Sequence, residues 1–346
     1  MTLGPLMVDV EGTVLTAEDR EVLAHPLVGS VILFTRNYAD PAQLAALVAG
    51  IHSIRTPPLV VGVDHEGGRV QRFRPGFSVL PPARQLGRAY DANPRAGLAL
   101  ARDLAWLMAA ELRAHGIDLS FAPCVDLDFG VSGVIGDRAL HRDPDAVGRL
   151  ATAWMHGMRD AGMPATAKHF PGHGAVAADS HHALPVDRRT LADLDADLAP
   201  YRVLIANGLA GVMVAHVLYP EVDAVPASAS RRWIREVLRG ELRFQGAVFA
   251  DDLSMAGAAA IGGIVERAQR ALDAGCDVLP VCNHRPSVLA LLDGLVDPPD
   301  AAAALRRVRL RGRGHVSRDE LLASTEWQRC REVLARCTAP PDLRLA

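Results

Sequence analysis

Two stretches of the chain combine carboxylates with proton-transfer groups. Lys168-His169-Phe170-Pro171-Gly172-His173-Gly174 runs into Asp179-Ser180-His181-His182, and Ala250-Asp251-Asp252-Leu253-Ser254-Met255 follows downstream. A carboxylate facing an imidazole across a pocket supplies a nucleophile and a proton donor. Glycoside hydrolysis with retention needs such a pair: one group attacks the anomeric carbon and the other protonates the leaving oxygen. Asp179 and His181 are the acid–base candidates of the first stretch. Successive strand residues point opposite ways, so one of Asp251 and Asp252 is expected to face the pocket and the other the neighbouring loops.

Further groups fall at the ends of apolar runs. Gly62-Val63-Asp64-His65-Glu66-Gly67-Gly68-Arg69-Val70-Gln71-Arg72 places Asp64 where a carboxylate can accept hydrogen bonds from a polyol, and Gly67-Gly68 allows a sharp turn. Glu66 and Arg69 could form a structural pair, while Arg69 and Arg72 could reach an anion. Arg138, in Val134-Ile135-Gly136-Asp137-Arg138, would share the same rim. An inward-facing Lys168 needs carboxylates or a ligand to offset its desolvation, and His169 beside it could be a hydrogen-bonded core residue. Zinc catalysis through His169, His173, His181, His182 and Asp251 is the main competitor. The Pro-Gly-His-Gly break removes any helical ligand spacing there, and the first strand is not followed by His-x-His, so neither metal nor cofactor is expected.

These groups need a scaffold that brings many strand ends together. Eight apolar runs, at about 6–10, 30–34, 59–63, 119–125, 165–169, 212–217, 247–250 and 278–281, alternate with stretches of helical periodicity such as 41–55, 96–115 and 146–159. Polar residues follow nearly every run, which favours a (β/α)8 TIM barrel, with its chemistry at the C-terminal strand ends, over an open doubly wound sheet with a single switch point. One catalytic domain over residues 1–346 is expected. From about residue 298 a helical tail would pack on its exterior, with the arginines between Arg306 and Arg313 on a solvated face.

The sequence has 346 residues, 49% hydrophobic and 22% charged, with net charge -3. That balance offers no footprint for nucleic acid or an anionic membrane surface. The five cysteines, 124, 276, 282, 330 and 337, are scattered and odd in number, against a disulfide framework. The N-terminus lacks a basic and apolar leader pattern, and no segment reaches the ~18 apolar residues of a membrane span. A cytoplasmic monomer acting on a small molecule is expected.

The motifs resemble glycoside hydrolase family 3, and within it the β-N-acetylglucosaminidases of bacterial cell-wall recycling. Val28 to Tyr38 is similar to the family's second strand and loop, Lys168 to Gly174 with Asp179-Ser180-His181 to its signature, and Ala250 to Met255 to its nucleophile strand. The resemblance implies Asp251 as nucleophile, His181 as general acid/base and Asp179 as its dyad partner. It implies that Asp64, Arg72, Arg138, Lys168 and His169 hold the N-acetylglucosamine. The implied substrates are muropeptide fragments, GlcNAc-1,6-anhydroMurNAc with or without peptide. His65 stands where many relatives have glutamine, and Leu140 where an aromatic is usual. An unperturbed imidazole pKa of about 6.5 suits both halves of the cycle, and Asp179 would favour the imidazolium by charge. Gly172 and Gly174 are expected to let the His181 loop swing over bound sugar. A non-carboxylate base also leaves room for phosphate as acceptor, so a phosphorylase is the alternative. A sugar-binding protein without turnover is a further one, which the Asp251 and His181 constellation argues against.

Overall fold

The computed structural model describes residues 2–177, 184–297, 299–314 and 316–338. Among these residues, eight strands run parallel. Strands β1 (Leu6–Val8), β2 (Val28–Leu33), β3 (Val60–Val63), β6 (Leu119–Ser120) and β10 (Leu279–Val281) form one sheet in the order β10-β1-β2-β3-β6. Strands β7 (Thr166–Phe170), β8 (Gly211–Val214) and β9 (Ala247–Ala250) form a second sheet in that order. Isolated parallel bridges Ser120–Ala165 and Phe249–Val278 lie at the two junctions between the sheets. All eight strands are buried along their length, which is why they read as continuous apolar runs rather than as alternating ones. The run at 119–125 forms strand over only its first two residues; Pro123 has no backbone N–H to give to a ladder.

A short antiparallel hairpin, β4 (His65–Gly67) with β5 (Val70–Gln71), interrupts the series directly after β3. Its turn depends on Gly67 and Gly68, at φ +100° and +54°. A Cβ on Gly67 would lie 2.6 Å from the Pro81 carbonyl oxygen, so glycine serves both the turn and the close packing.

Three of the helices between strands begin with the same device. Asp40, Asn93 and Asp143 cap α2 (Pro41–His52), α4 (Pro94–Arg113) and α5 (Pro144–Asp160), each accepting from backbone N–H groups of the first turn, with proline in first position. A side-chain cap of this kind is worth about 1 kcal/mol, and proline there sacrifices no intrahelical bond. Helix α4 buries Leu104, Leu107, Met108 and Leu112, and stops where Gly116 turns at φ +82°. The other helices are α1 (Ala17–Ala24), α3 (Arg84–Ala92), α6 (Asp195–Ala206), α7 (Ile264–Ala274), α8 (Arg285–Gly294), α9 (Ala301–Val308), α10 (Arg318–Ala323) and α11 (Thr325–Thr338), with a π-helical segment at Arg232–Glu241. No helix among the described residues is long and apolar enough to cross a membrane.

The C-terminal section does not carry a simple solvated basic face. Arg307 is buried, donating to the Asp277 carbonyl at 2.7 Å and the Leu3 carbonyl at 3.1 Å. Arg306 places two donors on Asp277 Oδ1 at 3.0 and 2.8 Å. Buried backbone carbonyls need donors; Arg307 supplies two from a distant part of the chain, while Arg306 pairs with the buried Asp277 carboxylate.

Candidate active site

Because the strands are parallel, their C-terminal ends share one side of the sheets. Asp64 follows β3, Lys168 and His169 lie within β7, Asp251 follows β9, and Cys282 and Asn283 follow β10. These residues line a cavity of 570 Å³, together with Arg72, Arg138, Phe34 and Phe121.

Lys168 is the hub of one wall. Its ammonium lies 2.7 Å from Asp64 Oδ1 and 2.6 Å from Glu66 Oε1, with its side chain almost fully buried. Burial opposes the charged amine, but the Asp64 and Glu66 carboxylates outweigh it and hold the pKa above the ordinary lysine value. Arg72 Nη2 reaches Asp64 Oδ2 at 3.4 Å. Burial raises the Asp64 pKa, yet Lys168 and Arg72 bring it below the usual carboxylate range. Asp64 is therefore a charged, oriented acceptor at the cavity surface.

Glu66 does not pair with Arg69, the structural alternative raised by the sequence. It takes a bidentate bond from Arg138, at 2.9 and 2.8 Å, as well as the Lys168 contact. Two cations converge on this buried carboxylate and depress its pKa strongly despite the desolvation that opposes them. Arg69 instead donates to the carbonyls of Gly133, at 3.0 Å, Val134 and Ile135, at 3.4 Å. It thereby holds the loop that carries Arg138.

A second buried carboxylate, Asp126, orients the His169 region. His169 Nδ1 lies 2.7 Å from Asp126 Oδ2, and the His173 N–H donates to Asp126 Oδ1 at 2.6 Å. Burial works against ionisation, but His169 and His173 keep the Asp126 pKa far below the ordinary range. Cys124 donates to the same carboxylate at 3.2 Å. Cys124, Asp126 and His169 offer ligand atoms within 4.8 Å of one another, the group among the described residues that could hold a metal ion. All three are buried, and they already satisfy each other through these bonds.

Gly174 has a different role from the one expected. A Cβ there would lie 1.9 Å from the Leu127 carbonyl oxygen, so glycine is required for close packing. Residues 171–174 are buried, and Tyr219 donates to the Gly172 carbonyl at 2.5 Å. The start of this loop is anchored. Asp179 and His181 themselves lie outside the described residues.

Asp251 and Asp252 both line the cavity, rather than one of them turning wholly away. The backbone N–H of Asp251 bonds the Val214 carbonyl at 3.0 Å, continuing the β8–β9 pairing beyond the strand ends, and Asp251 Oδ1 accepts from the Asp252 N–H at 2.8 Å. Asp252 Oδ1 accepts from Ser254 N, Ser254 Oγ and Cys282 N at 2.9, 2.8 and 3.1 Å. Burial pushes the Asp252 carboxyl up to about 6, against the pull of those donors.

A cavity at parallel strand ends, walled by charge-paired carboxylates and cations, is suited to a polyhydroxylated ligand. Comparison with known proteins gives this arrangement a family. Residues 6–308 match the glycosyl hydrolase family 3 N-terminal domain. The chain belongs to glycosyl hydrolase family 3. It is a glycoside hydrolase by that membership. It is 60% identical over 316 residues to a β-hexosaminidase of Thiobacillus denitrificans, covering 90% of this chain and 87% of that one. A β-hexosaminidase of Thioalkalivibrio sulfidiphilus is 53% identical over 345 residues, covering 100% and 99%. The crystal structure of NagZ from Neisseria gonorrhoeae in complex with N-trifluoroacetyl-D-glucosamine superposes with a TM-score of 0.93 at 43% identity, covering 98% of this family 3 chain and 99% of that chain.

The strand-end residues Asp64, Lys168, His169 and Asp251, and the loop residues Arg72 and Arg138, are thus brought together in one cavity. Sequence reasoning missed what holds them: Glu66 as the shared partner of Arg138 and Lys168, Asp126 beneath His169 and His173, and Arg69 as the tie on the neighbouring loop. The available signal for Glu66 and Asp126 was their place just after apolar runs, which did not specify a partner.

Proposed function

We propose that this chain is a retaining exo-β-N-acetylglucosaminidase that removes non-reducing terminal N-acetylglucosamine from muropeptide fragments, GlcNAc-1,6-anhydroMurNAc with or without peptide, in cytoplasmic peptidoglycan recycling. Asp251 attacks the anomeric carbon and forms a covalent glycosyl-enzyme. His181, oriented by Asp179, protonates the leaving oxygen and then deprotonates water. Asp64 accepts from ring hydroxyls, and Arg72, Arg138, Lys168 and His169 complete the sugar subsite. The eight parallel strands close into a (β/α)8 barrel of one catalytic domain, a reading supported by the bridges at both sheet junctions. The residues from about 298 are a tail packed on that domain.

The observation that carries the reading is Asp64, kept charged between Lys168 and Arg72 on the wall of the cavity that Asp251 also lines. Two relatives are β-hexosaminidases, and the similar Neisseria structure holds N-trifluoroacetyl-D-glucosamine; both support the 2-acetamido preference. Hydrolysis of an aryl β-N-acetylglucosaminide measured beside the matching β-glucoside tests it. Fast release from the first and slow release from the second is expected. Equal rates would remove the 2-acetamido preference, and no release from either would remove the activity.

A further inference from the structure

The arginines of the C-terminal section divide into two groups. Arg306 and Arg307 are committed to Asp277 and to backbone carbonyls. Arg309 and Arg313 are exposed, and among the described residues their side chains have neither a hydrogen bond nor an ion pair. The same holds for Arg243, exposed at a left-handed turn of φ 58° between the π-helical segment and β9. A non-glycine residue seldom adopts that conformation.

These three side chains and Arg306 line a groove of 330 Å³ floored by Leu209 and Phe244. Its described lining contains no carboxylate. The adjoining cavity of 640 Å³, which shares Arg306, differs: Asp273, Asp277, Asp297 and Asp300 stand against its five arginines. Ala210 and Ala247, which also line the groove, stand at the N-terminal ends of β8 and β9. The groove is therefore at the opposite end of the strands from the Asp251 cavity. The chain as a whole is net negative, at -3, so the positive charge here is local.

We propose that this groove binds a phosphate-bearing ligand. Guanidinium forks match phosphate oxygens in pairs of charge-assisted hydrogen bonds, and among the described residues the side chains of Arg243, Arg309 and Arg313 are the groove arginines uncommitted to other groups. The volume falls near the lower end of small-molecule sites, about 300–1,000 Å³. The Leu209 and Phe244 floor can take an apolar portion of a phosphate ester. The site is separate from the glycosidase reading and does not depend on it.

Pyrophosphate is the probe, titrated calorimetrically into the full chain at low salt and constant ionic strength. Three proteins are compared: the parent, Arg309→Ala/Arg313→Ala, and Arg88→Ala/Arg95→Ala. The last pair removes the same charge from exposed arginines outside the groove. Binding to the parent, weakened by roughly tenfold or more in the groove variant and unchanged in the control, is expected. Turnover of the aryl glycoside should be the same in all three, which also shows that the groove variant folds. Flotation with phosphatidylglycerol vesicles separates the sources of phosphate. Vesicle binding that requires Arg309 and Arg313, without pyrophosphate binding, assigns the phosphate to a lipid headgroup. Failure of both probes, or equal weakening in both double variants, overturns the proposal.

Discussion

Asp252 Oδ1 receives three donors, from Ser254 N, Ser254 Oγ and Cys282 N, so this carboxyl organises the loop after β9. Ser254 Oγ also donates to the Cys282 carbonyl at 2.9 Å, tying that loop to the end of β10. Asp251 accepts through Oδ1 from the Asp252 N–H and is the residue assigned to attack the sugar. The two substitutions should therefore separate. Asp251→Ala is expected to lose turnover by at least about 10³-fold, because removing a nucleophile leaves only binding and electrostatic catalysis. Asp252→Asn keeps an oxygen that can accept the same donors, and should retain most of the fold and a measurable rate. Steady-state hydrolysis of the aryl substrate, with circular dichroism as the check on folding, decides between them. Parent-like turnover in Asp251→Ala would end the assignment. Trapping with a 2-fluoro sugar should place the label on Asp251.

At the scale of elements, the site depends on how loops are tied to strand ends. The loop from Gly133 to Arg138 is held at its inner side by the Glu66–Arg138 pair and at its outer side by Arg69, which binds three successive carbonyls. Arg69 is thus a positioning residue for Arg138. In Arg69→Met the stem remains, but the Gly133 carbonyl loses its Arg69 donor and the Val134 and Ile135 carbonyls keep only those of Arg138, so Arg138 should be less well placed for sugar. Since the Asp251 side is untouched, KM is expected to rise by roughly fivefold to tenfold while kcat changes by less than about twofold, the signature of lost uniform binding. A fall in kcat at constant KM would show that Arg69 acts on the chemical step instead. Much of this element framework was legible in the sequence. Fully buried parallel strands read as apolar runs, and helical periodicity located α2, α4 and α5, though it began the last two after Pro94 and Pro144, where the capped first turns carry little apolar pattern. The β4–β5 hairpin was not legible, because strands of three and two residues leave no periodicity to read. Nor was the partner of Glu66: Arg138 lies 72 residues away, and only the tertiary fold brings them together.

Across the whole molecule, buried imidazoles contribute to the response to mild acid. His65, His115, His173 and His216 are buried, and burial is the leading cause that lowers the pKa of each. His65, whose ring lies 5.7 Å from Phe73 and 5.9 Å from Phe77, falls from 6.5 to about 3, with Arg74 and Arg72 adding to the effect of burial. Below pH 6.5 the unfolded chain takes up a proton at this ring while the folded chain does not. Stability contributed by neutral His65 is therefore present above 6.5 and is lost progressively as pH falls toward 3. Asp252 has the opposite sign. Raised from 3.8 to about 6, it favours the folded state as pH falls through that window, and so offsets part of the histidine effect. His65→Gln isolates the larger contribution, since glutamine has no titrating group. Urea unfolding at about pH 6.5, 5.5 and 4.5 should show parent stability declining more steeply than that of the variant, by about 1.4 kcal/mol per pH unit for one proton. Parallel slopes would mean that the His65 ring is protonated inside the fold, which the surrounding Phe73, Phe77, Arg72 and Arg74 oppose.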